Sequence, residues 1–428
     1  MASPMAIDSK QELLPVHIAL ETSTTRTGRR TRVKRLGVWS LLLITVGTLS
    51  WRLMPTCSKH KPPTWNVHDF MSQSPLIDTH NDWPIFIRAL YQNDIYQKNF
   101  TAEDSLPGQV DFPRLQKGLL DAQFWSLFVG CPAVADNYDD KTYHEIVHDT
   151  FQQIDLVYRL VERFPKYLIG ITKNADDVFN NFDKSHGRIS SLMGIEGLHQ
   201  IGNSPSILRM YYNLGVRYAT LTHVCHNQYA DSERPARALH GGLSAAGREL
   251  VLEMNRIGMM VDLSHTSADT QRHVLTDNTT RAPVIFSHSN AFGLCKHTRN
   301  APDDVLQLLK LNGGVIMVTF LPDFVNDTPA NASLSDVADH IVYIGKLIGY
   351  DHVGLGSDFD GMGGSGPRGL EDVSKYPDLV TELHNRGISD NDIQQIMGLN
   401  LLRVMKAVEQ TAASLSTKVL PLQDKISS

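Results

Sequence analysis

Eight short apolar runs punctuate the chain, and six of them end in a residue that can bind a metal or move a proton. The first is Pro75-Leu76-Ile77-Asp78-Thr79-His80-Asn81-Asp82. In an extended strand residues i and i+2 share a face, so His80 and Asp82 point the same way and can grip one ion. A single His-x-Asp is also what a polar strand end entering a loop looks like; recurrence is what gives it weight. Ser191–Glu196 ends in a carboxylate, Val216–His223, Met259–His265 and Pro283–His288 end in imidazoles, and His352–Asp358 ends in a carboxylate. Gln123–Val129 and Gly314–Phe320 complete the eight without a chemical terminus.

The runs are rich in Val, Ile, Leu and Phe and do not alternate cleanly, which is the pattern of strands buried on both faces beneath crossover helices. Helical periodicity lies between most of them, over residues 142–163, 244–257 and 335–348. Alternating strand and helix with eight strands predicts an α/β fold, a (β/α)8 TIM-type barrel, over residues 66–412. In such a barrel the active site lies at the carboxyl ends of the strands, where the six reactive termini fall. The longest insertion lies between the second and third runs. No linker splits the span, and no sequence repeat of fixed period runs through it.

The formal net charge of -6 provides no basic field for nucleic acid. The exception is the front, where Arg26, Arg29, Arg30, Arg32, Lys34 and Arg35 precede the uncharged stretch Leu36–Trp51. This reads as a signal anchor over 36–54, a little short of the ~20 residues that span a bilayer, with a cleaved signal peptide as the competing reading. The basic cluster predicts a single-pass type II membrane protein: a disordered cytoplasmic tail (1–35), a stalk (55–65), and a lumenal or extracellular catalytic domain followed by a C-terminal tail (413–428). Asn99, Asn278, Asn326 and Asn331 head glycosylation sequons on the expected lumenal side. Cys131 and Cys225 follow strand ends at one barrel rim and can pair in an oxidising lumen, Cys295 reads as a small buried hydrophobe, and Cys57 falls in the stalk.

Taken together, Ile77–Asp82, Gly194–Gly197, Leu221–His223, Val261–His265, Phe286–Ser289, Arg299-Asn300 and Gly356–Gly361 resemble the membrane dipeptidases, also called renal dipeptidases, which are binuclear zinc peptidases on a barrel. The resemblance covers nearly the whole expected lumenal part, with several distinct motifs in order. It implies that His80 and Asp82 hold one zinc ion, that Glu196 bridges two, and that His265 and His288 hold the second. Carboxylate and imidazole ligands without thiolate suit hydrolytic zinc with open positions. Ions sharing one carboxylate stand about 3.5 to 4 Å apart, close enough to share the attacking hydroxide.

By the same resemblance His223 contacts the substrate near the scissile carbonyl, Arg299 receives its terminal carboxylate, and Asp358 is the acid/base. Asp78 is expected to support a ligand rather than bind metal, and Asp360 to orient its neighbours. His199, His226, His240 and His297 match no ligand position and read as rim or surface residues. The family's disulfide partner for Cys295 is missing. Lys418–Ser428 is short and polar, so attachment is expected at the N-terminus rather than through a C-terminal lipid.

The expected activity is hydrolysis of a dipeptide's single peptide bond, in a homodimer if this chain follows other family members. Two rivals remain. One is another binuclear zinc amidohydrolase, acting on cysteinyl-glycine conjugates or related amides; the other is a catalytically silent receptor ectodomain, against which the full ligand set argues.

Overall fold

Nine parallel strands build the sheet: β1 Ile77–Asn81, β2 Ala122–Ser126, β3 Leu168–Ile171, β4 Ile189–Glu196, β5 Val216–Thr220, β6 Met260–Asp262, β7 Ile285–Phe286, β8 Val315–Val318 and β9 Val353–Leu355. The computed structural model describes residues 65–424 apart from 104, 133–137 and 185–186. The main path runs β1-β2-β4-β5-β6-β7-β8-β9, so the eight expected strands are neighbours in chain order. The ninth, β3, is a correction to the eight-strand expectation and comes from the long insertion. β4 pairs with β2 and also with two further strands in succession, β3 along Ile189–Ser191 and β5 along Met193–Glu196. β3 has four residues, one of them glycine, and is partly exposed, so it carries no run of apolar side chains to betray it.

Strand periodicity separates two cores. Along β8, Val315 and Met317 face the barrel interior with Ile77, Phe124 and Tyr218, while Ile316 and Val318 join the larger cluster under the helices. The interior cluster continues into Leu401, Val404, Met405 and Val408 of the final helix, Asn400–Leu415. At Gly398, just before that helix, a Cβ would stand 2.6 Å from the Pro75 carbonyl oxygen, so the chain can pass there only as glycine. Helices Asp140–Arg163, Ala245–Ile257 and Leu334–Ile348 match the periodic stretches closely.

The sheet curls into a near-barrel whose seam is made by loops. Among the described residues the backbone links between β1 and the chain leaving β9 are a single bridge, Asn81 to Phe359, and two backbone hydrogen bonds, while Thr79 Oγ1 donates to the Leu355 carbonyl at 3.1 Å. The Asp358 N–H donates to the His80 carbonyl at 3.0 Å and the Asp82 N–H to the Phe359 carbonyl at 2.9 Å. The Asp78 carboxylate secures the same seam. It accepts from the Ser357 N–H at 2.8 Å, the Ser357 hydroxyl at 2.7 Å and the Tyr376 hydroxyl at 2.7 Å.

The membrane reading does not survive. Among the described residues no helix is long and apolar enough to cross a membrane. The anchor expected at 36–54, the tail at 1–35 and the Cys57 stalk lie outside the described residues, and Leu36–Trp51 is itself short of a ~20-residue span. The transmembrane helix, the type II topology with its lumenal or extracellular placement, and membrane attachment are therefore withdrawn. With them goes the topological support for the sequons: Asn99, Asn278 and Asn331 are exposed, while Asn326 is partly buried and bonded to Thr328 and Asp336.

Candidate metal centre and active site

The reactive residues gather where the strands end. His80 lies in β1, Asp82 begins the helix Trp83–Tyr91, and Glu196 is the last residue of β4. His223, His265, His288 and Asp358 stand two or three residues beyond their strands, on loops. His265 and Asp358 have φ of 62° and 68°. That left-handed conformation is costly for a residue with a Cβ, and it ends the strand while turning the side chain over the barrel mouth.

Ligand atoms of His80, Asp82 and Glu196 lie within 4.8 Å of one another, as do those of Glu196, His265 and His288. Glu196 belongs to both groups. Its Oε1 is 2.9 Å from His265 Nε2, 3.3 Å from His288 Nε2 and 3.6 Å from His80 Nε2. The Nε2 atoms of His265 and His288 are themselves 3.0 Å apart, and His80 Nε2 stands 3.2 Å from Asp82 Oδ2. His80 also stacks on His288 at 3.7 Å between ring centroids. Buried nitrogens converging on one carboxylate oxygen, with Asp82 Oδ1 and His265 Nδ1 lacking partners, fit cations better than any protein-only network. The donor set is that of a two-metal site with Glu196 shared.

The electrostatics agree. Burial pushes the Glu196 carboxyl up to about 7 against the pull of His80, and burial raises Asp358 well above the usual carboxylate range. Burial alone would lower His80, yet Glu196 and Asp82 carry it up to about 10. His265 and His288 fall well below the imidazole range, through burial and then through neighbouring positive groups. Buried carboxylates whose proton affinity burial raises, beside the His265 and His288 imidazoles kept neutral, are what divalent cations stabilise.

Residues that sequence reasoning passed over hold this centre in shape. Asp262 accepts from the Ser264 N–H at 3.0 Å, the Ser287 N–H at 2.8 Å, the Ser287 hydroxyl at 2.6 Å and the Thr220 hydroxyl. Since Ser287 spends its proton on Asp262, its oxygen accepts from His288 Nδ1–H at 2.8 Å, leaving the His288 Nε2 lone pair for metal. The Tyr218 hydroxyl lies 3.0 Å from His80 Nδ1 and fixes the ring with Nε2 toward Asp82 and Glu196. The Gln200 side chain accepts from the Glu196 N–H at 2.8 Å. A signal was present in the sequence: Asp78 and Asp262 each precede a histidine at a strand end, and Ser287 and Ser357 each directly precede a site residue.

A cavity of about 340 Å³ opens over the centre, walled in part by Asp82, Glu196, His223, His265 and Asp358. His223 Nε2 is 4.0 Å from Glu196 Oε1, and the ring meets Phe128 edge-on at 4.7 Å. Arg299 stands behind the wall, only 3% exposed. Its Nη1 donates to Ser289 Oγ at 3.2 Å and its Nη2 to the His288 carbonyl at 3.1 Å; Phe324 lies against the guanidinium, and Nε has no partner. Cys131 and Cys225 form a disulfide that ties the loop after β2 to the loop carrying His223. His199 and His226, expected at the rim or surface, are buried and bonded to the carbonyls of Val129 and Arg237, as buried polar rings require. Cys295 is a buried free thiol.

Known proteins share this design. Dipeptidase aclJ of Aspergillus oryzae is 58% identical over 368 residues, covering 86% of this chain and 85% of that protein. Dipeptidase tcpJ of Claviceps purpurea is 47% identical over 349 residues, 82% and 80%. Among solved structures, the probable dipeptidase PvdM from Pseudomonas aeruginosa superposes with a TM-score of 0.72 at 24% identity, covering 81% of this chain and 98% of that one. A metallo peptidase from Rhodobacter sphaeroides, solved with a phosphinate mimic of L-Ala-D-Ala, gives 0.68 at 23% identity, 78% and 99%, and both share the barrel. The family model for membrane dipeptidases, Peptidase family M19, matches residues 65–419, and with that span and those relatives the chain belongs to the membrane dipeptidase family.

Proposed function

We infer that the protein is a zinc-dependent dipeptidase, and the observation that carries this reading is the convergence of four further ligands on the shared carboxylate of Glu196 beneath one cavity. His80, Asp82 and Glu196 would hold one zinc ion and Glu196, His265 and His288 the other. When bound, the pair supplies Lewis acidity to the scissile carbonyl and to the attacking water.

The chain's own residues do the rest. Asp358 takes the proton of the attacking water and returns it to the leaving amine, a task suited to a carboxyl whose proton affinity burial has raised. Burial, with nearby positive groups, keeps His223 neutral, so its ring donates one N–H to the oxygen that gains charge in the transition state. Arg299, fixed by Ser289 and the His288 carbonyl, keeps Nε for the terminal carboxylate of the substrate. Phe128 and Phe324 narrow the entrance and exclude water around these groups.

Zinc analysis combined with a panel of free dipeptides tests the assignment. Glu196→Gln replaces the shared charge with an amide that has one acceptor oxygen, so the variant should lose zinc and activity together. A Glu196→Gln protein with two bound ions and near-normal turnover would overturn it.

A further inference from the structure

The cavity wall carries charges of both signs. Asp82, Asp358 and Asp360 stand on its wall near the first ligand pair, and Arg234 stands on the wall near His223. Arg234 is exposed, and no carboxylate among the described residues pairs with its guanidinium, whereas Arg88, Arg114, Arg209, Arg256 and Arg386 each hold one. Its backbone is not free to wander. The Ser232 hydroxyl donates to the His223 carbonyl, the Glu233 N–H donates to the His265 carbonyl at 3.0 Å, and Thr298 Oγ1 donates to the Glu233 carboxylate at 2.6 Å. Asp231 gathers the N–H groups of Leu239, His240 and Gly242 and fixes the rest of the loop. A rigid strap tied to two site residues therefore presents an unpaired cation at the mouth.

We propose that Arg234 is a specificity residue that favours dipeptides whose C-terminal residue carries a second carboxylate, such as X-Glu and X-Asp. The inference rests on the dipeptidase reading and on Arg299 holding the α-carboxylate. Arg299 and Arg234 lie on the same side, because Thr298, just before Arg299, donates to the carboxylate of Glu233, just before Arg234, at 2.6 Å. Leu321, Phe324 and Arg234 share the cavity wall, and Phe324 also lies against the Arg299 guanidinium, so the C-terminal side chain of a substrate held at Arg299 would have Arg234 as the basic group on that wall. An exposed ion pair is worth little energy, so the preference is modest and sensitive to salt.

The test uses the full-length, zinc-loaded protein with Ala-Glu and its neutral isostere Ala-Gln. In low salt the kcat/KM ratio of Ala-Glu to Ala-Gln should be about three to ten, carried by KM, and should shrink in high salt. Arg234→Ala should bring the ratio near one, Arg234→Glu should push it below one, and Arg234→Lys should keep part of it. Calorimetry on the same proteins gives a readout without turnover: glutamate should bind more tightly than glutamine to the wild type and equally to Arg234→Ala. A wild-type ratio near one, or a ratio that survives Arg234→Ala, overturns the proposal while leaving the dipeptidase reading intact. If zinc-loaded wild type cleaves neither dipeptide, the dipeptidase reading fails and this inference falls with it.

Discussion

Replacing Asp262 with alanine isolates what the supporting residues contribute to the metal centre. The carboxylate accepts two backbone N–H groups and two hydroxyls, all buried, and it fixes the proton of Ser287 so that His288 Nε2 stays bare. Alanine leaves at least the N–H groups of Ser264 and Ser287 without an acceptor, at about 1 to 3 kcal/mol each, so the metal-free fold should lose about 2 to 6 kcal/mol. Ser287 then turns its proton freely, His288 can take the other tautomer, and zinc affinity should fall about 10- to 100-fold. Asp262→Asn keeps one oxygen for the two N–H groups, and the hydroxyls can rotate to accept from its amide, so most of the stability should remain. Denaturant unfolding of metal-free protein and chelator competition for zinc measure the two effects separately. Wild-type zinc affinity in Asp262→Ala would refute the tautomer argument, and unchanged unfolding would refute the count of orphaned donors.

Three further outcomes are expected. Arg299→Ala should reduce kcat/KM for free dipeptides by about 2 to 5 kcal/mol of transition-state binding while hardly affecting the corresponding dipeptide amides. Equal losses on acid and amide, with zinc content retained, would make Arg299 structural. Burial pushes the Asp121 carboxyl up to about 7 from 3.8 although it accepts the Leu76 N–H. The folded state holds that proton more tightly, so the stabilisation is complete below about 4 and is lost as pH rises through about 7; Asp121→Asn should flatten this part of a stability-against-pH curve. Replacing both Cys131 and Cys225 with serine opens a cross-link spanning 94 residues and should cost about 2 to 5 kcal/mol in unfolding experiments, with the rim loops released first.

Much of the site was legible because barrel geometry and ligand chemistry constrain the same few positions. A buried parallel strand needs a continuous apolar run, and a metal ligand must follow directly where that run meets solvent, so His80, Glu196, His288 and Asp358 announce themselves. What stayed hidden depends on neighbours across the sheet. Asp262 and Ser287 are 25 residues apart and meet only because β6 and β7 lie side by side. β3 was missed because it rides on the edge that β4 shares with β5, where four partly exposed residues suffice. His199 and His226 read as surface groups since a lone histidine shows no sign of the carbonyl that satisfies it. Arg234 was silent because an unpaired arginine in a loop resembles any solvated charge. The apolar stretch at 36–51 lies outside the described residues, and hydropathy over so few residues does not by itself establish a membrane span.

The seam between β1 and β9 has a consequence for how the molecule assembles. Along much of the sheet, adjacent strands are joined by runs of paired residues below the centre. At the seam the clasp is made largely of Asp82, Asp358, Asp78 and Ser357, with Thr79 bonded to the Leu355 carbonyl, so shutting the ring draws the first and last strands' site residues together. Closing the barrel and completing the centre are one event. Binding of cations to His80 and Asp82 then acts as a latch on the ring, and any fluctuation that loosens the latch releases the ions at the same moment. Circular permutants that place new termini in this seam would cut the clasp, whereas new ends in the exposed turns at the opposite face leave it whole.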